Sequence, residues 1–96
     1  MPRILRTRRS LDDLANIWAC IAADNPVAAD QVLKDVESAL SLIATVPDLG
    51  FKLEQHGRVV RCKPVRRNYL LFYIDQGEEI HLLRVLHSSR KFDGLL

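Results

Sequence analysis

Two apolar runs in the last third of the chain constrain its fold more than any other feature. Tyr69–Ile74 and Ile80–Leu86 are rich in leucine, isoleucine, valine and aromatic residues, and the turn residues 75–78, followed by Glu79, separate them. Runs of this length joined by a short polar segment that contains glycine predict a β-hairpin. The first run is almost entirely apolar, which is typical of a central strand that is covered on both faces.

The second run of this hairpin ends in a short polar segment that carries His87 and Arg90. Imidazole and guanidinium groups can both bind anions, and the predicted hairpin delivers them to one end of a sheet. This end of the hairpin is therefore a candidate functional site.

Two helices are predicted upstream of the hairpin. Apolar residues recur at helical spacing over residues 11–23, and Ser10 followed by Asp13 indicates a capping box at the start of this helix. Asn25-Pro26 predicts the start of a second helix, with asparagine as the N-cap and proline at the first helical position. The turn residues 47–50 end its apolar stripe, so the two helices form an αα-hairpin.

Shorter strand signals complete the chain. Ile4 and Leu5 lie in a predicted first strand, and residues 58–63 form another, with Arg61 and Lys63 on one face. Pro64 cannot donate to a strand ladder, so this strand should bend or end there. The order predicts one α+β domain over residues 1–96: an N-terminal strand, an αα-hairpin and a three-stranded antiparallel meander, with the helices packed on one face of the sheet.

Charge is unevenly distributed along the chain, although the net charge is only +2. The segment 10–48 contains seven acidic residues and a single lysine, so it should present an acidic surface. The segment 58–67 contains five cations and no acid: Arg58, Arg61, Lys63, Arg66 and Arg67. A basic block of this density indicates an anionic or acidic partner, although an ordinary solvated face gives the same pattern.

The remaining composition excludes several classes of protein. Cys20 and Cys62 lie in apolar surroundings, which predicts two buried free thiols in a reducing compartment rather than a disulfide. No run approaches the roughly 20 apolar residues of a membrane helix, so we expect a cytoplasmic protein. The histidines and cysteines lack metal-ligand spacing, and we therefore expect neither a metal nor another cofactor.

Several local patterns together resemble the RelE/ParE superfamily of bacterial toxin–antitoxin toxins. No one of them is specific, but their order and spacing cover essentially the whole chain. These segments are Leu11–Trp18, Asn25–Ala29, Pro47–Gly50, Val60-Arg61, Tyr69–Tyr73 and Arg84–Arg90. The resemblance implies an antitoxin partner that binds the toxin, and it implies one of two targets.

RelE-like toxins cleave mRNA in the ribosome, and part of their basic set is present. The resemblance places their strand lysines at Arg61 and Lys63, a later arginine at Arg90, and a histidine used by some relatives at His87. These four residues would be the catalytic set if the chain is a nuclease. One of them, His87, could instead be a strand-end side chain that is hydrogen-bonded to a neighbour.

Two residues of the RelE-like set are replaced. The arginine that follows the shared aromatic residue falls on Leu70, and the C-terminal tyrosine falls on Leu96. Losing one charge-stabilising contact of this kind typically costs about 10²–10³ in rate. Catalysis at this sheet is therefore disfavoured. The sequence leaves two roles open for the C-terminal Leu95 and Leu96: they could pack on the sheet or contact a partner.

ParE-like toxins inhibit DNA gyrase by binding, and this branch requires no catalytic residue. We therefore expect a gyrase-inhibiting toxin of a plasmid-stabilisation type, held in a hetero-oligomer with a ParD-like antitoxin. Neither membrane association nor sequence-specific DNA binding by the toxin alone is expected. A non-catalytic nucleic-acid-binding domain is a further alternative, based on charge alone.

Nine residues are candidates for binding the target or the antitoxin. Eight carry charge or can be protonated, and the ninth is an aromatic residue that could be either core or, if half exposed, an interface anchor. They are Arg58, Arg61, Lys63, Arg66, Arg67, Arg84, His87, Arg90 and Trp18.

Overall fold

A mixed five-stranded sheet and two helices make up residues 1–90, the part of the chain that this computed structural model describes. The elements in chain order are β1 Arg3–Arg6, α1 Arg8–Ala22, α2 Pro26–Thr45, β2 Phe51–Gln55, β3 Arg58–Val65, β4 Tyr69–Asp75 and β5 Glu79–His87. The strand order is β1-β5-β4-β3-β2; β1 runs parallel to β5 and the other neighbours are antiparallel. The predicted α+β class and hairpin are confirmed.

The antiparallel meander has four strands rather than the expected three, because β2 was not predicted. Phe51–Gln55 alternates apolar and polar residues, and it pairs with the start of β3 across a two-residue turn. The turn residues His56 and Gly57 have positive φ angles of 54° and 78°, as a tight hairpin turn requires. Glycine in the second turn position was the available signal for this strand.

β3 continues through Pro64 to Val65, so of the two predicted outcomes, a bend or an end at the proline, the end is wrong. The pairing with β2 finishes at Cys62, and beyond it β4 is the one strand of the described part of the chain that pairs with β3. Proline is tolerated there because an edge position does not require its missing N–H.

The N-cap residue of α1 differs from the prediction, and the N-cap residue of α2 agrees with it. α1 begins at Arg8 rather than at residue 11, because Thr7 is the N-cap and its hydroxyl accepts from the Ser10 N–H at 3.1 Å. Ser10, the predicted cap, is buried in the first turn and donates its hydroxyl to the Thr7 carbonyl. α2 begins as predicted: the Asn25 side chain accepts from the Ala28 N–H and Pro26 is the first helical residue.

The core lies on both faces of the sheet. Residues of α2 pack on one face against β3, β4 and β5; the buried residues of this cluster are Val36, Leu40, Ile43, Val65, Leu71, Tyr73, Ile80, Leu82 and Val85. A second cluster on the other face contains Val60, Cys62, Phe72 and Leu86. β4 contributes to both clusters, which confirms its predicted place as a central strand covered on both faces.

An ion pair fixes α1 to the edge of β5. β1 pairs with β5 only as far as Leu82, so the following residues of β5 need other partners for their backbone groups. Asp13 of α1 accepts from the Val85 N–H at 3.0 Å, and it also accepts two hydrogen bonds from the Arg84 guanidinium, at 2.7 and 2.9 Å. The Arg84 and Asp13 side chains are only 9% and 12% exposed.

Tyr73 fixes the loop between α2 and β2. Its buried hydroxyl donates to the Pro47 carbonyl at 2.8 Å and accepts from the Gly50 N–H at 2.9 Å, and burial raises the pKa of Tyr73. The loop passes so close to β3 that a Cβ on Gly50 would lie 2.9 Å from the Cys62 carbonyl oxygen. Glycine is therefore required by this close approach.

Removing the Tyr73 hydroxyl should lower stability measurably. We expect Tyr73→Phe to reduce the free energy of unfolding by about 1–3 kcal/mol, because the Gly50 N–H and Pro47 carbonyl lose their partner. Tyr69→Phe is the control, since the Tyr69 hydroxyl makes neither of these bonds. Urea denaturation measures both changes, and equal stability of Tyr73→Phe and the unmodified chain would contradict the assignment.

Removing the Asp13 carboxylate should be more costly. Asp13→Ala leaves the Arg84 charge and the Val85 N–H without this partner, and we expect a loss of about 3–5 kcal/mol in denaturant unfolding. Asp12→Ala is the matched control, because the interaction of Asp12 within residues 1–90 is an exposed ion pair with Arg8 that is worth about 0.5 kcal/mol. Adding Arg84→Met to Asp13→Ala should recover part of the loss, since no buried charge remains.

Candidate functional site

One end of the sheet collects four of the nine candidate residues. The β3–β4 turn presents Arg66 and Arg67, and the end of β5 presents His87 and Arg90. A hydrogen bond of 2.7 Å from the Ser88 N–H to the Asn68 carbonyl joins the two segments. We call these four residues the basic end.

The β3–β4 turn is held in an unfavourable backbone conformation. Arg66 and Arg67 have φ angles of 56° and 67°, in the left-handed region that costs a residue with a Cβ roughly 1–2 kcal/mol. Arg66 forms an ion pair with Asp35 of α2, and the hydrogen bond from Arg66 lowers the pKa of Asp35. Arg67 is exposed. Backbone strain of this kind is concentrated at functional sites.

His87 is held by its neighbours at the end of β5. Its ring meets the Tyr69 ring edge to face, with the ring centroids 5.5 Å apart. The Ser89 N–H donates to His87 Nδ1 at 3.1 Å, and the Ser89 hydroxyl lies 2.7 Å from the same atom. The structure thus gives His87 the hydrogen-bonded strand-end position that is one of its two predicted roles.

A groove of about 240 Å³ lies beside His87, between α1 and the ends of β4 and β5. Cys20 of α1 lines this groove and is exposed, so the prediction that both thiols are buried is wrong for Cys20. The thiol lies at this open groove, where apolar neighbours in the sequence do not produce burial. Both cysteines are free, as predicted, and Cys62 is buried.

The other cations of the basic block have separate positions. Arg61 and Lys63 lie on one face as predicted, but Arg61 donates to the Asp48 and Gly50 carbonyls at 3.2 and 2.7 Å, and Lys63 donates to the Pro64 carbonyl. Arg58 starts β3, about 25 Å along the strand from the turn at Arg66.

Arg84 is not at the surface. Its guanidinium is buried against Asp13, and that hydrogen bonding raises the pKa of Arg84. Burial of Arg84 was not predicted, because an arginine between apolar strand residues is also typical of a strand with one solvated face.

The residues of the predicted nuclease set lie on β3 and at the end of β5, with β4 between them. Lys63 pairs with Leu71 of β4, whereas His87 of β5 pairs with Tyr69, which separates their Cα atoms by about 12 Å. Leu70 belongs to the cluster on the opposite face of the sheet. Leu96, and with it the question of Leu95, lies outside the described residues.

A second apolar site lies between the two helices. A groove of about 420 Å³ is lined by the apolar residues Leu11, Leu14, Ala15, Trp18 and Leu33 and by the charged residues Arg6 and Glu37. We call it the hairpin groove. Trp18 is 38% exposed and donates its indole N–H to Asp30 at 2.9 Å, so it has the half-exposed position of an interface anchor. Leu11 and Leu33 were not predicted as site residues because apolar helix positions are usually core.

Two general properties of the described residues bear on function. No helix within residues 1–90 is long and apolar enough to cross a membrane. The same part of the chain contains no group of three side chains placed to hold a metal ion.

The sequence and the fold both match known proteins. The family model of the ParE toxin of type II toxin-antitoxin system, parDE, matches residues 4–92. A solved structure of a chromosomal ParDE TA system from P. aeruginosa has a TM-score of 0.74 with this chain and 21% sequence identity, and the alignment covers 91% of this chain and 96% of that one. At this identity the likeness shows the fold alone. No curated protein sequence matches the chain.

The two thiols should differ sharply in reactivity. We expect iodoacetamide to modify Cys20 but not Cys62 in the folded chain, because Cys62 is buried and its pKa is raised to about 11. Peptide mass mapping reports the modified residue, and both thiols should react in urea. Modification of Cys62 at the same rate as Cys20 without urea would contradict the described burial.

The same burial makes stability depend on pH at the alkaline end. The folded chain holds the Cys62 proton more tightly than the unfolded chain, whose thiol has a pKa near 9.0. This contribution is complete below that value and is lost as the pH rises toward 11. Cys62→Ala should flatten this part of the stability curve, whereas Cys20→Ala should not.

Proposed function

Because this chain belongs to the ParE toxin family of type II toxin–antitoxin systems, we propose that it inhibits DNA gyrase by binding it. We also propose that a cognate ParD-like antitoxin neutralises the toxin by covering its binding surfaces in a hetero-oligomer. The match of the family model over residues 4–92 is the observation that carries this proposal. Both events would take place in the cytoplasm.

The contacts of the cations favour binding over RNA cleavage. Cleavage through the RNA 2′-hydroxyl requires proton-transfer groups and a cation that act together at one phosphate. Arg61 is instead hydrogen-bonded to the α2–β2 loop, and β4 lies between Lys63 and His87. Leucine at position 70 contributes no charge. A binding function requires none of these groups to converge.

The basic end is the surface that we assign to gyrase. Arg67, His87 and Arg90 are exposed there, and the ion pair between Arg66 and Asp35 fixes the turn to α2. A surface that is already ordered loses less side-chain and loop entropy on binding. Complementary charge also speeds the encounter with an acidic surface.

The hairpin groove is the surface that we assign to the antitoxin. Its apolar lining and the half-exposed Trp18 suit the apolar face of an amphipathic helix. Trp18 would act as the central anchor, since aromatic residues at the centre of an interface often contribute most of the binding energy. An antitoxin segment that continues from this groove to the basic end would block both surfaces.

A supercoiling assay with purified gyrase tests the proposal. We expect the purified chain to inhibit supercoiling at a concentration close to that of gyrase. The double variant Arg67→Glu/Arg90→Glu should need a protein concentration at least about tenfold higher for the same inhibition. The single variants Arg67→Glu and Arg90→Glu should each weaken inhibition, and Arg58→Glu is their matched control, because it makes one such charge reversal at the far end of β3. Its inhibition should be close to that of the unmodified chain.

Adding the antitoxin to the supercoiling assay distinguishes the role of the hairpin groove from that of the basic end. Trp18→Ala should still inhibit gyrase, but more antitoxin should be needed to relieve this inhibition. Uninhibited gyrase together with mRNA cleavage in a translating extract, abolished by His87→Gln, would replace the proposal with the nuclease function.

A further inference from the structure

The outer edge of β2 is a feature of the fold that the proposed function does not use. β2 is the last strand in the sheet order, and within residues 1–90 it pairs with β3 alone. Its residues are Phe51, Lys52, Leu53, Glu54 and Gln55. An edge strand offers its backbone N–H and C=O groups to any other strand that can align with it.

The hairpin turn decides which backbone groups face outward. Gln55 and Arg58 flank the two-residue turn and therefore exchange hydrogen bonds with each other. The direction alternates along an antiparallel strand, so Phe51, Leu53 and Gln55 bond to β3. The N–H and C=O groups of Lys52 and Glu54 therefore point away from the sheet.

These two residues restrict how β2 could pair with a second copy of itself. An antiparallel pairing that uses the outward groups allows three registers: Lys52 opposite Lys52, Glu54 opposite Glu54, or Lys52 opposite Glu54. The first two oppose like charges, which is destabilising, and the third opposes unlike charges twice. In the third register the two Leu53 residues face each other on the two-fold axis, as a symmetric dimer requires.

We propose that β2 pairs with β2 of a second copy of this chain, in the register that places Lys52 opposite Glu54. The two five-stranded sheets then form one continuous sheet. On one face, Phe51, which is 53% exposed, gains the partner's Leu53 as a diagonal neighbour. On the other face, two Lys–Glu pairs form across the junction.

The charge pattern favours a second copy over an unrelated strand. Natural edges commonly carry charges that prevent edge-to-edge pairing, and charges of one sign would repel a second copy in every register. Here the two outward residues carry opposite signs and are spaced by two, so the edge is complementary to itself. An unrelated segment would have to supply the same alternation by chance.

The contact is small, which sets the expected affinity. One five-residue strand from each copy falls below the roughly 1,200 Å² of a stable interface. We therefore expect a dimer that exchanges with monomer and forms at concentrations on the order of 100 μM.

Charge reversal provides a sharp test by sedimentation velocity at low salt. Lys52→Glu and Glu54→Lys should each weaken self-association by about tenfold or more, since either change opposes like charges in the proposed register. The double variant Lys52→Glu/Glu54→Lys should restore it. An equimolar mixture of the two single variants should associate, although neither does so alone.

Three results would overturn the proposal. They are a monomeric chain at all concentrations up to on the order of 1 mM, association that Lys52→Glu leaves unchanged, and association that is lost in Leu11→Ser, a variant of the hairpin groove. Circular dichroism of each variant confirms that exposed substitutions leave the fold intact. Because Lys52 lies outside the basic end, Lys52→Glu should still inhibit gyrase, so this proposal and the proposed function can fail separately.

Discussion

The largely buried carboxylate of Asp13 supplies hydrogen bonds that β5 would otherwise lack at its edge. β1 is too short to cover the whole edge of β5, and a buried strand edge with unpaired N–H groups is costly. Asp13 takes the place of the missing strand at Val85 and neutralises Arg84. An ion pair this buried gives little net stability, but its geometry is specific. It holds α1 against β5 two residues before His87, and so fixes the α1 wall of the groove beside the basic end.

Much of the fold was predictable because local signals agreed with the final packing. Asn25-Pro26 started α2, and the two apolar runs became adjacent strands of the sheet. The errors came where two local signals competed. Thr7 and Ser10 can both cap a helix, and the choice of Thr7 also allows its hydroxyl to donate to the Leu83 carbonyl. β2 was missed because five residues are too few for a clear alternation of apolar and polar residues, and because the strand begins directly after the turn at residues 47–50.

The site was less predictable than the fold. A run of basic residues in a sequence shows the number of cations but not the acceptors that each will meet. Arg61 meets carbonyl groups of a loop that the fold brings back to β3, and Arg84 meets a carboxylate 71 positions away. Of the nine candidate residues, all within residues 1–90, four converge: Arg66, Arg67, His87 and Arg90. They do so because the β3–β4 turn and the end of β5 are neighbours in the sheet. The half-exposed position of Trp18 likewise depends on how closely α2 approaches α1.

In the Arg66-Arg67 turn, the positive φ angles lower the stability of the fold, and the same two residues supply positive charge at the surface. Glycine adopts this backbone without the steric penalty that arginine bears, so a chain selected only for a more stable fold would tend to replace these arginines. Such a chain would gain robustness and lose the cations at the sheet end. The ion pair with Asp35 offsets part of this cost at Arg66. At Arg67 the strained arginine is a compromise that an advantage outside folding, such as contact with a partner at this turn, would maintain. Loss of that partner would leave the turn free to drift toward glycine.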